Sequence, residues 1–392
     1  MKVLLLGVGM QGKAALHDLA SSDIVTEVIA ADADIDTLKA YVTDRGYADV
    51  ACEHVDADDP ASVTRLMSTG AKAVVCLLPP RCAPAVARVA ITAGVHFVET
   101  SYASPTLVAL ADEAEAAGVA LLPECGLDPG IDLVMLGEAL RRLDVVEEVR
   151  SYGSGVPEPE ASDNPLRYKI SWRFDGVLSA YRRPARLMRD GVVIDIDDRS
   201  QFCPEHIHTI KVDGLGQLEA YPNGDAMKYT RYLKDASTLR HMGRYAARWP
   251  GHAAFWKKLV DLGFLDETPI DVDGVPVGPR RFLSALLTPR LQYAEGERDL
   301  VHLRVDVVGR KDGEPKRILF EMIDRRDLET GLTAMSRTVG FTAAIGAQML
   351  LTGAIGGRGL LSPVHDVPWE PFEAELAKRH IAVSCASRAR GS

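Results

Sequence analysis

The chain has 392 residues, of which 47% are hydrophobic and 26% charged, a balance that excludes disorder and collagen-like order and suits two domains with buried cores. Its formal charge of −10, from 45 basic against 55 acidic side chains, excludes nucleic-acid binding through the overall field but leaves room for a local basic pocket. Six cysteines lack Cys-x-x-Cys spacing and meet no histidine at metal-site spacing, so reduced thiols in a cytoplasmic protein without a metal centre are expected. No apolar run reaches the roughly 18 residues of a membrane span, so no membrane partner is expected either.

The first 125 residues alternate short apolar strands with helices. Strands are expected at Val3–Leu6, Val25–Ala31, Ala51–Val55, Ala73–Leu77, Val95–Glu99 and Val119–Leu122. Helices fall between them at Met10–Leu19, Asp34–Thr43, Pro60–Met67, Cys82–Ala93 and Pro105–Ala116. Such alternation implies a parallel sheet covered on both faces, and right-handed crossovers leave the doubly wound, Rossmann-type arrangement as the natural one.

From Val145 the pattern becomes β-rich, with segments at Glu148–Tyr152, Arg167–Phe174, Val192–Ile196, His206–Val212 and Leu300–Val308. The last of these reads as a hairpin with Arg317–Ile323 across Lys311-Asp312-Gly313. The expected fold class is therefore α/β, a Rossmann-type parallel sheet with an inserted α+β domain. Residues 1–125 with about 330–365 form the dinucleotide-binding part, and about 126–329 the inserted part. Asp327–Leu351 turns helical again, with Gly340, Ala343, Ala344, Gly346 and Ala347 permitting close backbone approach to the first domain or to another subunit. Residues 383–392 are expected to be a frayed, flexible tail.

Gly7-Val8-Gly9-Met10-Gln11-Gly12 joins the first strand to the first helix. The first glycine permits a tight turn, the second lets amides approach a pyrophosphate, and the third lets helix and sheet pack closely. Asp32 ends the second strand 20 residues beyond Gly12, where a carboxylate can accept adenosine ribose hydroxyls and repel a 2′-phosphate. On that ground NAD is favoured over NADP. Leu78 and Pro79, after the fourth strand, are expected along the cofactor channel.

Tyr102 follows the fifth strand and faces the nicotinamide position of such a domain. Cys125 and Asp128 lie in the shaped run Pro123–Gly130 after the sixth strand. Asp128 suits a substrate ammonium, a proton transfer or a helix cap, and Cys125 a proton donor or simple packing. In the second domain Lys169, Asn223, Arg240 and His252 offer cationic, amide and imidazole groups for an amphoteric small molecule. His206 and His208 lie on one strand face, without an identifiable third ligand.

The sequence resembles the saccharopine dehydrogenase family, especially its saccharopine reductase branch. The resemblance rests on the glycine run, Thr100–Pro105, Gly126–Asp132, Pro157–Pro165, Ser171-Trp172 with Gly176–Leu178, Leu218–Asn223 and Met335–Phe341, and spans nearly the whole chain. It implies reversible hydride transfer at a carbon bearing a secondary amine, with saccharopine yielding glutamate and a lysine-pathway semialdehyde. It also implies a homodimer, an inserted domain that binds substrate and dimerises, and roles for Tyr102, Cys125, Asp128 and Lys169 in catalysis and for Asn223 and Arg240 at the substrate. Gly224 and Leu133 depart from the arginine and the polar residue common there. Lysine 6-dehydrogenase, a related amino-acid or polyamine dehydrogenase, and a noncatalytic NAD-binding regulator are the alternatives.

Overall fold

A computed structural model describes residues 1–389, which divide into two units: Met1–Glu138 with Ser336–Ala382, and Ala139–Met335 with the segment from Val383 onward. In the first unit, strands β1 (Lys2–Leu6), β2 (Glu27–Asp32), β3 (Val50–His54), β4 (Ala73–Cys76), β5 (His96–Glu99) and β6 (Ala120–Leu122) alternate with helices. These are α1 (Met10–Ala20), α2 (Ile35–Arg45), α3 (Pro60–Met67), α4 (Ala83–Ala93), α5 (Pro105–Val108) and α6 (Ala111–Ala116), with α7 (Ile131–Arg141) leading out of the unit. All strand pairs are parallel, and β1 lies between β2 and β4. The chain therefore reverses its winding direction at β1, and a doubly wound sheet binds its ligand beyond the strand ends at such a point.

Apolar strand residues, including Leu4, Leu6, Ile29, Val74, Phe97 and Leu121, meet helix residues such as Val63, Leu66, Val86 and Ala90 in the core. The expected helix over 105–116 is two short ones, because the chain turns at Ala109 and Leu110.

The second unit is built on a nine-stranded mixed sheet. Its strands are β7 (Val145–Pro157), β8 (Ala185–Arg189), β9 (Val192–Ile196), β10 (His208–Val212), β11 (Gly216–Pro222), β12 (His241–Arg248), β15 (Asp299–Lys311), β16 (Glu314–Arg325) and β18 (Val383–Ala389). A separate hairpin joins β13 (Ile270–Val272) to β14 (Val275–Val277). Helices α8 (Phe174–Ala180), α9 (His252–Asp261) and α10 (Pro279–Leu287) carry Phe174, Trp256 and Leu283 into an aromatic core with Tyr168, Tyr181, Phe202 and Tyr221.

The remaining elements return to the first unit: α11 (Ala334–Thr352), β17 (Gly359–Leu360), α12 (Pro363–Asp366) and α13 (Trp369–Lys378). β17 extends the parallel sheet by pairing with β6. The small residues of α11 serve packing inside the first unit. A Cβ on Gly340 would lie 2.4 Å from the Gln11 carbonyl oxygen of α1, and one on Gly346 would lie 2.6 Å from Cys125 Sγ. Among the described residues no helix is long and apolar enough to cross a membrane.

Three expectations need correction. Arg167–Phe174 is not a strand: Asn164 Oδ1 accepts from the Leu166 amide, Asn164 Nδ2 donates to the Tyr168 carbonyl, and Arg167 takes a left-handed φ of 46°. That side-chain bonding competes with a ladder and makes a loop, and α8 begins at Phe174. The late helix starts at Ala334 rather than Asp327, where the Asp299 carboxylate accepts from the Ala334 and Met335 amides at 2.7 and 3.0 Å. Finally, Val383–Ala389 is no frayed tail but a strand, β18, registered along β16 from Val383 opposite Met322 to Ala389 opposite Lys316. Residues 390–392 of the expected tail lie outside the described residues.

Candidate functional site

The glycine run closes the turn between β1 and α1. Gly7 has φ +89°, and a Cβ there would lie 2.8 Å from the Leu77 carbonyl oxygen. A Cβ on Gly12 would lie 2.1 Å from the Gly7 oxygen, so this position needs hydrogen for helix and turn to touch. Gly9 differs, since nothing lies within 4 Å of where its Cβ would stand. Its lack of a side chain serves something that approaches from outside. Gly9 is also the N-cap of α1 and provides no side-chain cap bond, which leaves amides at a positive helix end for an anionic ligand. This cradle fits a dinucleotide pyrophosphate. Met10 is exposed and Gln11 half-buried at its rim, with Leu78 half-buried and Pro79 exposed beyond β4.

Asp32 sits at the end of β2 as expected, but its carboxylate is engaged by the main chain. Oδ2 accepts from the Val8 amide at 2.7 Å and Oδ1 from the Asp34 amide at 3.0 Å. It braces the glycine turn against β2.

Tyr102 lies half-buried just after β5. Asp128 is half-buried in the run after β6 and precedes Pro129 through a cis peptide bond. At the entry to α7 it is Asp132 whose carboxylate accepts from the Gly130 amide, at 2.9 Å. The Cys125 thiol is buried, donates to the Thr342 carbonyl at 3.4 Å, and is pushed up to about 12 by burial. A thiol in that state keeps its proton near neutral pH and packs against α11.

Two buried carboxyls stand in the strand-end runs that the sequence places beside the cofactor, though neither is among the site residues it favours. Glu99 ends β5 and Glu124 follows β6, with the Glu124 amide donating to the Ser101 carbonyl at 3.0 Å and the Cys125 amide to the Glu99 carbonyl at 2.9 Å. Burial, aided by the charge of Glu124, pushes the Glu99 carboxyl up to about 8, against the opposing hydrogen bonds from Ser101.

In the second unit the expected substrate residues part company. Lys169 is buried, but its ammonium is held by Glu297 at 2.6 and 2.7 Å and by Asp163 at 3.0 Å, so its charge is already matched. Arg240 is exposed at the foot of β12, its guanidinium against the turn at Gly191. Asn223 is half-buried after β11, its amide donating to the Arg244 carbonyl at 2.8 Å. His252 is buried at the start of α9, with Nε2 2.8 Å from Tyr181 Oη. His206 ends a short 3-10 turn before β10, and His208 Nε2 lies 3.1 Å from Tyr152 Oη.

Arg248, at the end of β12, lies in one of the segments that the sequence offers for clamping a carboxylate, although Arg240 is the arginine it favours. Its guanidinium is buried in the aromatic core and forms no ion pair with a carboxylate among the described residues. It donates to the Ala247 carbonyl at 2.8 Å and lies 5.8 Å from the Tyr168 ring. Its Nε, the Tyr168 hydroxyl and the Trp256 indole N–H have no hydrogen-bond partner. Arg248 is thus a buried cation without a matching carboxylate, a chemistry that suits a small anion such as a carboxylate.

Residues 3–122 match the family model for the saccharopine dehydrogenase NADP binding domain, and residues 126–381 the model for the saccharopine dehydrogenase C-terminal domain. The chain is 28% identical to the saccharopine dehydrogenase (NADP(+), L-glutamate-forming) of Pyricularia oryzae, over 98% of both chains. It is 27% identical to the Saccharomyces cerevisiae enzyme of the same name, over 96% of this chain and 97% of that one. Against the bovine mitochondrial alpha-aminoadipic semialdehyde synthase, 28% identity extends over 98% of this chain but 48% of that longer protein. The structure of apo saccharopine dehydrogenase (L-Glu forming) from Saccharomyces cerevisiae superposes with a TM-score of 0.85 at 26% identity, covering 99% of this chain and 100% of that one.

These likenesses overturn the expectation of NAD, since the fungal relatives are named for NADP(+) and the matching domain model is an NADP-binding one. The physical reason lies in Asp32, whose two oxygens serve the Val8 and Asp34 amides, so an acid at that position does not by itself report a ribose contact. With both units matched by its domain models, the chain belongs to the saccharopine dehydrogenase family.

Proposed function

We propose that this protein is an NADP-dependent oxidoreductase that converts saccharopine to L-glutamate and the lysine-pathway semialdehyde, reversibly. The observation that carries the reading is likeness along nearly the full length of both partners to relatives named for the L-glutamate-forming reaction. The unmatched charge of the buried Arg248 adds a chemical reason, because each half of saccharopine ends in carboxylate.

Glutamate leaves with the bridging nitrogen, so the bond that breaks is the one from nitrogen to the carbon of the lysine-derived half. Hydride must therefore depart from that carbon, giving an imine that water opens to aldehyde and amine. Bound NADP supplies the hydride acceptor. The chain's own residues bind and orient. Gly7, Gly9 and Gly12, with the amides of α1, hold the pyrophosphate, and Arg248 takes a substrate carboxylate. Asp128 and Tyr102, at the carboxyl edge of the parallel sheet, are assigned to the amine and its proton. Asn223 is kept as a polar contact to substrate.

The assay follows absorbance at 340 nm with saccharopine and NADP, and measures glutamate released. Equal amounts of reduced cofactor and glutamate are expected, and lysine as sole substrate is expected to give neither. Reduced cofactor without glutamate would overturn the assignment. Arg248→Lys removes the planar fork of donors and should raise KM for saccharopine by roughly 10–100-fold while leaving KM for NADP unchanged. Arg240→Ala, at an exposed site, should change KM by less than about threefold. The reverse ranking would return the substrate carboxylate to Arg240. A homodimer in the cytoplasm completes the reading: six free thiols fit a reducing compartment, and light scattering should find twice the chain mass.

A further inference from the structure

The turn from β1 into α1 is tied to the end of β2 at two successive amides. Gly7 donates to the Ala31 carbonyl at 2.8 Å, and Val8 donates to Asp32 Oδ2 at 2.7 Å. The first bond continues the parallel ladder and needs no particular side chain. The second needs an acceptor that reaches across from residue 32. Beyond Val8 the chain enters α1 at its Gly9 cap, and the first bond of the helix runs from the Lys13 amide to the Gly9 carbonyl at 3.0 Å. The amides ahead of that bond have no partner within the helix and suit an anion. Val8 is therefore the last residue that β2 holds before the part of the turn that faces the pyrophosphate.

The rest of Asp32 is engaged as well. Oδ1 accepts from the Asp34 amide at 3.0 Å in a local turn, and the Asp32 carbonyl accepts from the Val55 amide at 3.2 Å. Asp34 in turn caps α2 by accepting from the Thr37 amide at 3.1 Å. One residue thus joins the end of β2 to the glycine turn, to the exit of β3 and to the entrance of α2. Two main-chain donors face its carboxylate, so the negative charge is already met inside the unit.

We propose that Asp32 is a positioning residue for the cofactor: through the Val8 amide it holds the glycine turn in the shape that receives the pyrophosphate, and it does not select between NADP and NAD. This rests on the dinucleotide reading of the cradle. The pyrophosphate is common to both cofactors, so loss of the brace weakens both by the same factor. An acid that selected by gripping the ribose would cost NAD alone when removed. One that selected by repulsion would let NADP bind more tightly when neutralised.

Calorimetry of the full chain, without saccharopine, gives Kd for NADP and for NAD in Asp32→Ala, Asp32→Ser and Asp32→Asn. Asparagine presents an acceptor oxygen at the same reach as aspartate. The serine oxygen stands one bond nearer the main chain, where it serves the Asp34 amide but does not reach Val8. Asp32→Ala and Asp32→Ser should raise Kd for both cofactors by about tenfold, the scale of one charge-assisted hydrogen bond, with their ratio held within about twofold. Asp32→Asn should recover most of that loss. KM for saccharopine at saturating NADP should stay within about twofold in all three, which a general loss of structure would not allow. A loss confined to NAD, tighter NADP in Asp32→Asn, or equal losses in all three variants would overturn the proposal.

Hydrogen exchange at the Val8 amide needs no cofactor. It should quicken in Asp32→Ala and Asp32→Ser and stay slow in Asp32→Asn, and unchanged exchange in the first two would remove the brace. Should Asp32→Ala fail to fold, Asp32→Ser carries the same comparison. If the unaltered protein binds NADP but no measurable NAD, NADP alone decides, since a lost brace raises its Kd and a lost repulsion lowers it. If it binds NADP yet does not oxidise saccharopine, the dehydrogenase reading falls and the Kd series still decides the role of Asp32. If it binds neither cofactor, the positioning role falls with the dinucleotide reading.

Discussion

Glu99 is a side chain whose charge state depends on the fold of the first unit. In the unfolded chain its carboxyl ionises near 4.5, whereas in the folded protein it holds its proton to about 8. The folded state therefore binds the extra proton between those values, and the stability linked to Glu99 is full below 4.5 and lost as pH rises through 8. Glu99→Gln removes that dependence. From pH 5 to pH 8 the melting temperature of the unaltered protein should fall against the variant's by a few degrees, and parallel curves would show that Glu99 ionises freely.

Side chains like this one mark the limit of reading residues from sequence. Gly7, Gly9 and Gly12 were legible because the backbone demands their type at their spacing. Arg240 and Arg248 look alike in the string, and only the burial of one by α8, α9 and α10 separates them. Lys169 was taken for a substrate contact because its partner Glu297 stands 128 residues away.

Among the elements, α11 shows most plainly how packing overrides local preference. Gly340 stands inside a helix, where alanine would ordinarily gain about 1 kcal/mol. Here the added methyl would lie 2.4 Å from the Gln11 oxygen and 2.7 Å from the Ala15 nitrogen of α1. Crowding of that kind costs roughly 1–3 kcal/mol, so the clash should win and Gly340→Ala should lower the melting temperature by several degrees. KM for NADP should rise as well, since Gln11 lies in the first turn of α1, at the rim of the glycine turn proposed to hold the pyrophosphate. A more stable variant would mean that α11 lies less tightly on α1 than described.

The strands and helices of the first unit were readable because each carries its own apolar period. The second unit was less so. β12 was missed because its residues His241–Arg248 include His241, Arg244 and Arg248, charged or basic by type, yet Arg244 and Arg248 are buried within the sheet. β18 was taken for a tail because a polar run such as Val383–Ala389 shows its pairing only beside β16.

At the scale of the molecule, the order of residues along the chain crosses between units. The first unit needs Ser336–Ala382, which supplies α11 and β17, and the second needs β18. Removing residues 383–392 would strip the partner from β16 along the register from Lys316 to Met322. The bare edge should lower the melting temperature and promote aggregation on concentration. An equally stable, monodisperse variant would overturn the structural role of β18.

That crossing has a consequence for synthesis. Translation proceeds at about 5–20 residues per second, and domains usually fold as they emerge. In this chain the glycine cradle and its α1 helix come out early, and the helix that packs on them is made more than 300 residues later. The sheet of the second unit waits longer still for its closing strand. Both folding reactions therefore wait for segments made long after the elements that they complete. A nascent chain stalled anywhere before Val383 presents an uncovered helix, an open sheet edge, or both, and becomes a client for chaperones before it can be an enzyme.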